Sequence, residues 1–260
     1  MTGESSGVSI VVPAFREGPN LRALIERSFA ALGAAGRAGE MIIVDDDSGD
    51  ESEAIVDELA ERFPVRILVR RGRRGLSSAV IEGFEIATYP NLLVMDGDLQ
   101  HPPEMIPQLA AALDDAAIDF AIATRYAAGG DVGRDWSLVR RLGSRVATLM
   151  ARPLVPLSDP MSGFFAMRRV TWASTRGVSP IGYKIALELY VKAGCVNPVE
   201  IPISFGVRTA GKSKLTGGVF ARYLWHLVSL YRYRYPVLSW MLPFSVILLI
   251  GVLVFFLQYA

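Results

Sequence analysis

The first 125 residues alternate short apolar, β-branched runs with amphipathic segments, and this alternation leaves the chain few folds to choose from. Runs at Val8–Pro13, Met41–Val44, Val65–Val69, Leu92–Met95 and Phe120–Ala123 predict strands. Between them, Asn20–Ala35, Glu51–Phe63, Leu76–Ala87 and Glu104–Leu113 predict helices, with apolar residues at helical spacing such as Leu21, Leu24, Ile25, Phe29 and Leu32. Strands that are apolar throughout, with helices between them, specify a mostly parallel sheet buried on both faces. The predicted fold class is α/β, doubly wound. After Ala127 the pattern loosens. Leu138–Met150 and Ile185–Ala193 read as helices, Phe164–Met167 and Val199–Phe205 as strands, and Ala210–Gly218 as a loop.

Ligands on open parallel sheets bind outside the carboxyl ends of the strands. Those ends are acidic here: Glu17 follows the first strand, Asp45-Asp46-Asp47 the second, and Asp96-Gly97-Asp98 a later one. The first turn reads Pro13-Ala14-Phe15-Arg16-Glu17, without the G-x-G-x-x-G that a dinucleotide site needs. Asp96, Asp98 and Gln100 leave a strand end at alternate positions and can bring three oxygens to one spot. Hard oxygen ligands suit Mg²⁺ or Mn²⁺. The residues alone support equally a solvated turn in which the two Asp cap the next helix. Glu17 and Asp46, on neighbouring strand ends, are placed to accept from ribose hydroxyls or a base N–H. The Asp45–Asp50 run can also cap the helix near Glu51, with Ser48 or Asp50 as the N-cap.

Composition narrows the function classes. Residues 1–200 hold 21 Lys+Arg against 26 Asp+Glu, whereas residues 201–260 hold six basic side chains and no acidic one. An acidic body with a basic, apolar tail argues against a nucleic-acid binder. One cysteine, Cys195, excludes an intramolecular disulfide framework, and two histidines make a His-rich metal site an unsuitable reading. Residues 1–7 carry neither a basic nor an apolar leader pattern, so the globular part is expected in the cytoplasm. Val237–Leu257 runs without a charge, and at 1.5 Å per residue it would span roughly 32 Å, enough for a hydrocarbon core. Arginines and aromatics over Phe220–Tyr235 suit a headgroup region. The expected organisation is a globular domain at 1–218, an amphipathic interfacial helix at 219–235 and one transmembrane helix at 236–260.

The motifs Pro13–Glu17, Val44-Asp45-Asp46-Asp47-Ser48-Gly49-Asp50 and Asp96-Gly97-Asp98-Leu99-Gln100-His101-Pro102-Pro103-Glu104 resemble those of family 2 inverting glycosyltransferases. Thr124-Arg125-Tyr126, Asp159–Phe164, Gly182–Ile185 and Arg208–Leu215 narrow the resemblance to dolichol- or polyprenol-phosphate mannose synthases. It covers residues 8 to about 218, with Gly97 where that family usually has Ala and Gly75-Leu76-Ser77 where it usually has Gly-Leu-Gly. The resemblance implies a GT-A-type, Rossmann-like fold and membrane partners. It implies GDP-mannose as donor and dolichyl or polyprenyl phosphate as acceptor. By the same resemblance, Pro13, Phe15, Glu17, Val44 and Asp46 would bind base and ribose, and Asp96, Gly97 and Asp98 would meet the diphosphate side. Asp98 and Gln100, with Asp96, would hold Mg²⁺ or Mn²⁺. Arg125, Arg208 and Lys214 would touch donor or acceptor phosphates, and Arg140 and Ser144 the lipid phosphate.

A phosphate monoester acceptor has a second pKa of about 6 and needs no general base at neutral pH. The expected chemistry is one in-line displacement that turns an α-linked sugar nucleotide into a β-linked lipid phosphate sugar. Asp98, Arg125, Arg140 and Ser144 are the expected catalytic set, and residues 210–218 a lid over the diphosphate. Two alternatives share the sequence: a polyprenol-phosphate glucosyltransferase using UDP-glucose, and a non-catalytic membrane-anchored nucleotide-sugar binder. A processive polysaccharide synthase is discounted, because the chain has no Arg-Trp pair.

Overall fold

The structure, a computed structural model, describes residues 7–126, 146–179, 184–204, 206 and 217–237. Its strands are Val8–Ala14 (β1), Gly39–Asp45 (β2), Val65–Val69 (β3), Asn91–Val94 (β4), Phe120–Thr124 (β5), Phe165–Arg168 (β6) and Pro198–Pro202 (β7). Its helices are Gly18–Ala34 (α1), Ser52–Ala60 (α2), Leu76–Ile86 (α3), Ile106–Ala112 (α4), Arg169–Ser174 (α5), Ile185–Lys192 (α6) and Gly217–Arg234 (α7). Residues 146–151 are also helical.

Among the described residues the strands form one sheet in the order β3-β2-β1-β4-β6-β5-β7. All neighbours are parallel except β6, which runs antiparallel to both β4 and β5. Residue pattern could not have given that direction, because a strand buried on both faces reads the same either way. Side chains alternate between two cores. Val11, Ile42, Val44, Val94 and Ile122 face one, with Phe84 and Leu187. Ile10, Val12, Met41, Ile43 and Leu93 face the other, with Leu21, Val56 and Leu109. Each such side chain contributes about 1.5–3 kcal/mol when fully removed from water.

The strand order reverses at β1. Its pairing with β2 runs to Ala14↔Asp45, but its pairing with β4 stops at Val11↔Val94. Two residues later stands Pro13, which has no N–H to offer a neighbour. A crevice therefore opens between the carboxyl ends of β1 and β4, the place where sheets of this kind bind ligands.

The predicted elements are present with shifted edges. Helix α1 begins at Gly18 with Pro19 in its first turn, where a missing N–H costs nothing. The Glu104–Leu113 prediction splits into a 3₁₀ turn, Pro103–Met105, and α4, because Pro107 cannot close the helical ladder behind it. Helix α2 has Glu51 at its N-cap with no side-chain cap, while Asp50 Oδ1 accepts from Ser52 N–H at 3.0 Å. Strand β7 ends at Pro202, short of the predicted Phe205. The six-residue α5 has no counterpart in the sequence reading; its Trp172 packs edge-on against Phe84 at 5.5 Å. No helix among the described residues is long and apolar enough to cross a membrane, and the charge-free run expected to do so lies outside them beyond Val237.

Helix α7 is strapped to the rest by hydroxyls and charge. Tyr223, Tyr231 and Tyr235 donate from Oη to the carbonyls of Ala147, Met150 and Pro153, each at 2.7 Å. Against α6, the buried Glu188 carboxylate accepts from Lys192 Nζ and from Ser179 N–H, both at 2.6 Å. His226 Nε2 of α7 lies 3.3 Å from its other oxygen, an electrostatic contact not aligned as a hydrogen bond. Lys192 Nζ also donates to Gly177 O at 2.5 Å. Removing one member of such a buried set strands the others, typically at about 3–5 kcal/mol. Glu188→Ala is accordingly expected to lower the thermal midpoint by several degrees, measured by a fluorescence melt in detergent. A melt indistinguishable from wild type would mean that the cluster contributes nothing to holding α7.

Candidate active site

The backbone marks the site before any side chain does. Among the described residues three non-glycine residues have positive φ: Arg16 (60°), Asp47 (56°) and Leu99 (59°). They follow β1, β2 and β4 respectively, all at the crevice. Such conformations cost on the order of 1–3 kcal/mol each and collect where function holds them in place.

The loops after β1 and β2 are tied together. Arg16 N–H donates to Ser48 Oγ at 2.7 Å; Ser48 N–H donates to Asp45 Oδ2 at 2.8 Å and its hydroxyl to Asp45 Oδ1. Gly18 N–H donates to Asp50 Oδ2 at 3.2 Å. Glu17 accepts from Asn20 Nδ2 at 2.9 Å, which orients its carboxylate at the head of α1. Of the predicted nucleotide-binding residues, Pro13 and Phe15 are half-buried at the crevice. Val44 is wholly buried with its side chain in the core, so only its backbone can face a ligand.

Asp46 is held more tightly than the sequence reading allowed for. Its Oδ1 accepts from both Nε and Nη2 of Arg70, and its Oδ2 from Gly75 N–H at 2.7 Å. Arg70 is fully buried and uses all five of its donors, the others going to Ser78 Oγ, Glu82 Oε1 and Gly75 O. Gly75, at φ 143°, adopts a conformation closed to other residues. Arg70 was not among the predicted site residues. Its signal was a cation directly following the apolar run Ile67-Leu68-Val69 at the carboxyl end of β3.

The end of β4 carries the acidic turn. Asp98 is buried and accepts from Gln100 N–H at 3.1 Å. Gln100 Nε2 donates to Gly206 O at 3.2 Å, which orients the amide and leaves its oxygen as the acceptor end. The Asp96 carboxylate stands against Gly163: a Cβ there would lie 3.1 Å from Asp96 Oδ1. At Gly97 a Cβ would meet Glu17 Cγ and Val12 Cγ1 at 3.4 Å, an ordinary contact that also places Glu17 beside the acidic turn. Buried His101 accepts the Asp96 N–H on Nδ1 at 3.1 Å. That nitrogen therefore carries no proton, and its 3.7 Å approach to Asp96 Oδ2 is no ion pair. Burial pulls the imidazole pKa below its ordinary value, which keeps it neutral.

Two cations complete the site. Arg125, after β5, forms a two-pronged pair with fully buried Asp159, Nε to Oδ2 at 2.7 Å and Nη2 to Oδ1 at 2.9 Å. Burial works against its charge, and the Asp159 pair outweighs it. The expected phosphate ligand thus already spends two of its donor groups on positioning. Lys184, at the N-cap of α6, donates from Nζ to Met161 O at 3.0 Å. Burial lowers its pKa, and Arg125 pushes the same way while Asp159 and Asp96 oppose. Lys184 lies within the Gly182–Ile185 motif, which by itself assigns it no role. A cation at the positive end of a helix was the available signal. Arg140, Ser144, Arg208 and Lys214 lie outside the described residues, as do residues 210–216 of the expected lid.

Asp96, Asp98 and Gln100 offer two carboxylates and an amide oxygen within five residues, a hard donor set that fits Mg²⁺ or Mn²⁺ with room for further oxygen ligands. Among the described residues no three His, Cys, Asp or Glu side chains gather as a metal site by themselves.

The glycosyl transferase family 2 model matches residues 9–174. A dolichol-phosphate mannosyltransferase of Mycosarcoma maydis is 45% identical over 242 residues, 90% of this chain and 82% of its own length. Its Saccharomyces cerevisiae counterpart is 44% identical over 236 residues, 87% of this chain and 88% of its own. Among solved structures, glucosyl-3-phosphoglycerate synthase of Mycobacterium tuberculosis in complex with Mn²⁺, UDP and glucosyl-3-phosphoglycerate superposes with a TM-score of 0.62 at 20% identity, over 89% of this chain and 82% of that one. That likeness shows the GT-A-like α/β fold. By the family model over most of its length and by these relatives, the chain belongs to glycosyl transferase family 2, among its dolichol-phosphate mannosyltransferases.

Proposed function

We propose that the chain transfers mannose from GDP-mannose to dolichyl or polyprenyl phosphate, with inversion, releasing GDP. The relatives' shared name supports the sugar and the acceptor class. The observation that carries the chemistry is a pair of half-buried cations, Arg125 held by Asp159 and Lys184 held by Met161 O, both close enough to Asp96 to feel its charge. An acceptor phosphate is already a nucleophile at neutral pH, so the site has to gather anions rather than remove a proton. Lys184 has three donors and gives one to Met161 O, which leaves two for phosphate oxygens. Arg125 is locked by Asp159 and offers a fixed rather than a searching charge. Low dielectric around both strengthens their hold on an incoming anion.

Asp96, Asp98 and Gln100 would hold the divalent ion, which when bound supplies Lewis-acid charge to the leaving diphosphate. Neutral His101 fixes the Asp96 backbone without adding charge to the site. Pro13, Phe15, Glu17 and the Val44 backbone are the proposed base and ribose contacts. Arg208 and Lys214 are assigned to the donor phosphates, Arg140 and Ser144 to the lipid phosphate. The proposed setting is a membrane, with residues 1–218 on its cytoplasmic side, 219–235 at its surface and 236–260 across it. In support, the outer face of α7 shows Trp225, 65% exposed, and Val228, 51% exposed, between Arg222 and Arg232.

In detergent with Mg²⁺ or Mn²⁺ and a short polyprenyl phosphate, radiolabel is expected to pass from GDP-mannose into the lipid phase, and not without metal. Transfer from UDP-glucose instead would overturn the donor, and transfer from neither would overturn the enzyme. Asp98→Asn is expected to lose about 100-fold or more in turnover, the scale of losing one group that stabilises transition-state charge. Two glycine variants separate geometry from stability. Gly163→Ala forces the Asp96 carboxylate aside and should cut turnover while melting close to wild type. Gly97→Ala fits its space, should keep turnover, and should gain about 0.4–1 kcal/mol by restricting the unfolded chain. Comparable activity in the two variants would remove Asp96 from the mechanism.

A further inference from the structure

Residues 70–74 carry four arginines, and only one of them builds the fold. Arg70 is the buried clamp on Asp46. Arg73 pairs with Glu82 at 3.3 Å on the surface, and Arg71 is exposed. Arg74 instead turns back over the crevice, with its guanidinium carbon 4.5 Å from the centroid of the Phe15 ring; that of Arg16 lies 5.3 Å from the same centroid.

The placement of Arg74 is built from the inside. The next residue, Gly75, is gripped at both backbone groups, N–H by Asp46 and C=O by Arg70 Nη2 at 2.9 Å. Ser78 Oγ donates to the same carbonyl at 2.9 Å. A loop that merely joined a strand to a helix would not need a buried guanidinium with five satisfied donors. The clamp delivers residue 74 to one fixed point, and that point is the aromatic ring at the carboxyl end of β1.

We propose that Arg74 reads the base of the donor nucleotide and selects guanine over uracil. This rests on the GDP-sugar reading above and supplies its specificity determinant. The Arg74 guanidinium lies over the Phe15 ring, 4.5 Å from its centroid, so a flat base taking that face displaces it to the rim, where its fork meets the base's edge. Guanine presents O6 and N7, two adjacent acceptors that match the fork of an arginine; adenine replaces one with an amino donor, and uracil has no such adjacent pair. Lysine, a single point charge, cannot reproduce the fork. Asp46 then acts on the base through the loop it holds, as a positioning residue.

The test is equilibrium binding of GDP, IDP, ADP and UDP to the full chain in detergent, for wild type, Arg74→Ala, Arg74→Lys and Arg71→Ala. IDP keeps O6 and N7 but lacks the guanine amino group. Wild type is expected to bind GDP and IDP more tightly than ADP and UDP. Arg74→Ala should weaken GDP and IDP by about 5- to 150-fold, the range of one bidentate contact, and leave ADP and UDP nearly unchanged. Arg74→Lys should not restore the preference, and Arg71→Ala should match wild type. Equal loss for all four nucleotides, or loss for none, would overturn the role of Arg74 while leaving the GDP donor intact. A wild type that prefers UDP would overturn the donor reading itself, and this proposal with it.

Discussion

The one-sided end of β1 is the constraint on which the site depends. Beyond Val11 the strand keeps its ladder to β2 and loses its ladder to β4. A strand paired on both sides to its end would leave no space for a ligand, and one unpaired on both sides would not hold Phe15 or Glu17 in place. Pro13 enforces the asymmetry, since a proline cannot extend hydrogen bonding on the open side. The three strained backbones, at Arg16, Asp47 and Leu99, all stand around the opening. Strain there is tolerable because two cores lock the strands beneath them.

Much of the architecture could be read from periodicity. Strands buried on both faces gave continuous apolar runs, and the helices between them gave one-sided stripes; both signals are local. The direction of β6 was not legible for the same reason, because burial on both faces erases polarity from the pattern. Helix edges moved where proline intervened, at Pro19 and Pro107. Helix α5 escaped notice because six residues are too few to show a period.

The site was legible where it depends on position along a strand and illegible where it depends on contacts between distant segments. Glu17, Asp46, Asp96 and Asp98 announced themselves by standing at strand ends. Their partners did not. Arg70 is 24 residues from Asp46, and Asp159 is 34 residues from Arg125. Nothing in a linear pattern distinguishes an arginine that clamps a buried carboxylate from one that faces solvent. Arg70 and Arg71 are adjacent and chemically identical, yet one is buried and the other exposed. Only the register of β2 against β3, which pairs Asp45 with Val69 and brings Arg70 beside Asp46, decides between them.

Packing likewise settles where the chain's buried acids find their partners. Asp46, Asp159 and Glu188 are each buried, and each is matched by a cation that it holds in place: Arg70, Arg125 and Lys192. Buried pairs of this kind return little net stability, because desolvation consumes most of the attraction. What they confer is placement. A guanidinium on a free side chain would lose conformational entropy when it met a phosphate, whereas Arg125, already ordered by Asp159, has lost it on folding. The acids at the crevice therefore fall into two groups by exposure and partner. Asp46 and Asp159 are each buried against an arginine that they hold in place, Arg70 and Arg125. Asp96, whose side chain is 40% exposed, belongs to the other group, left open at the crevice.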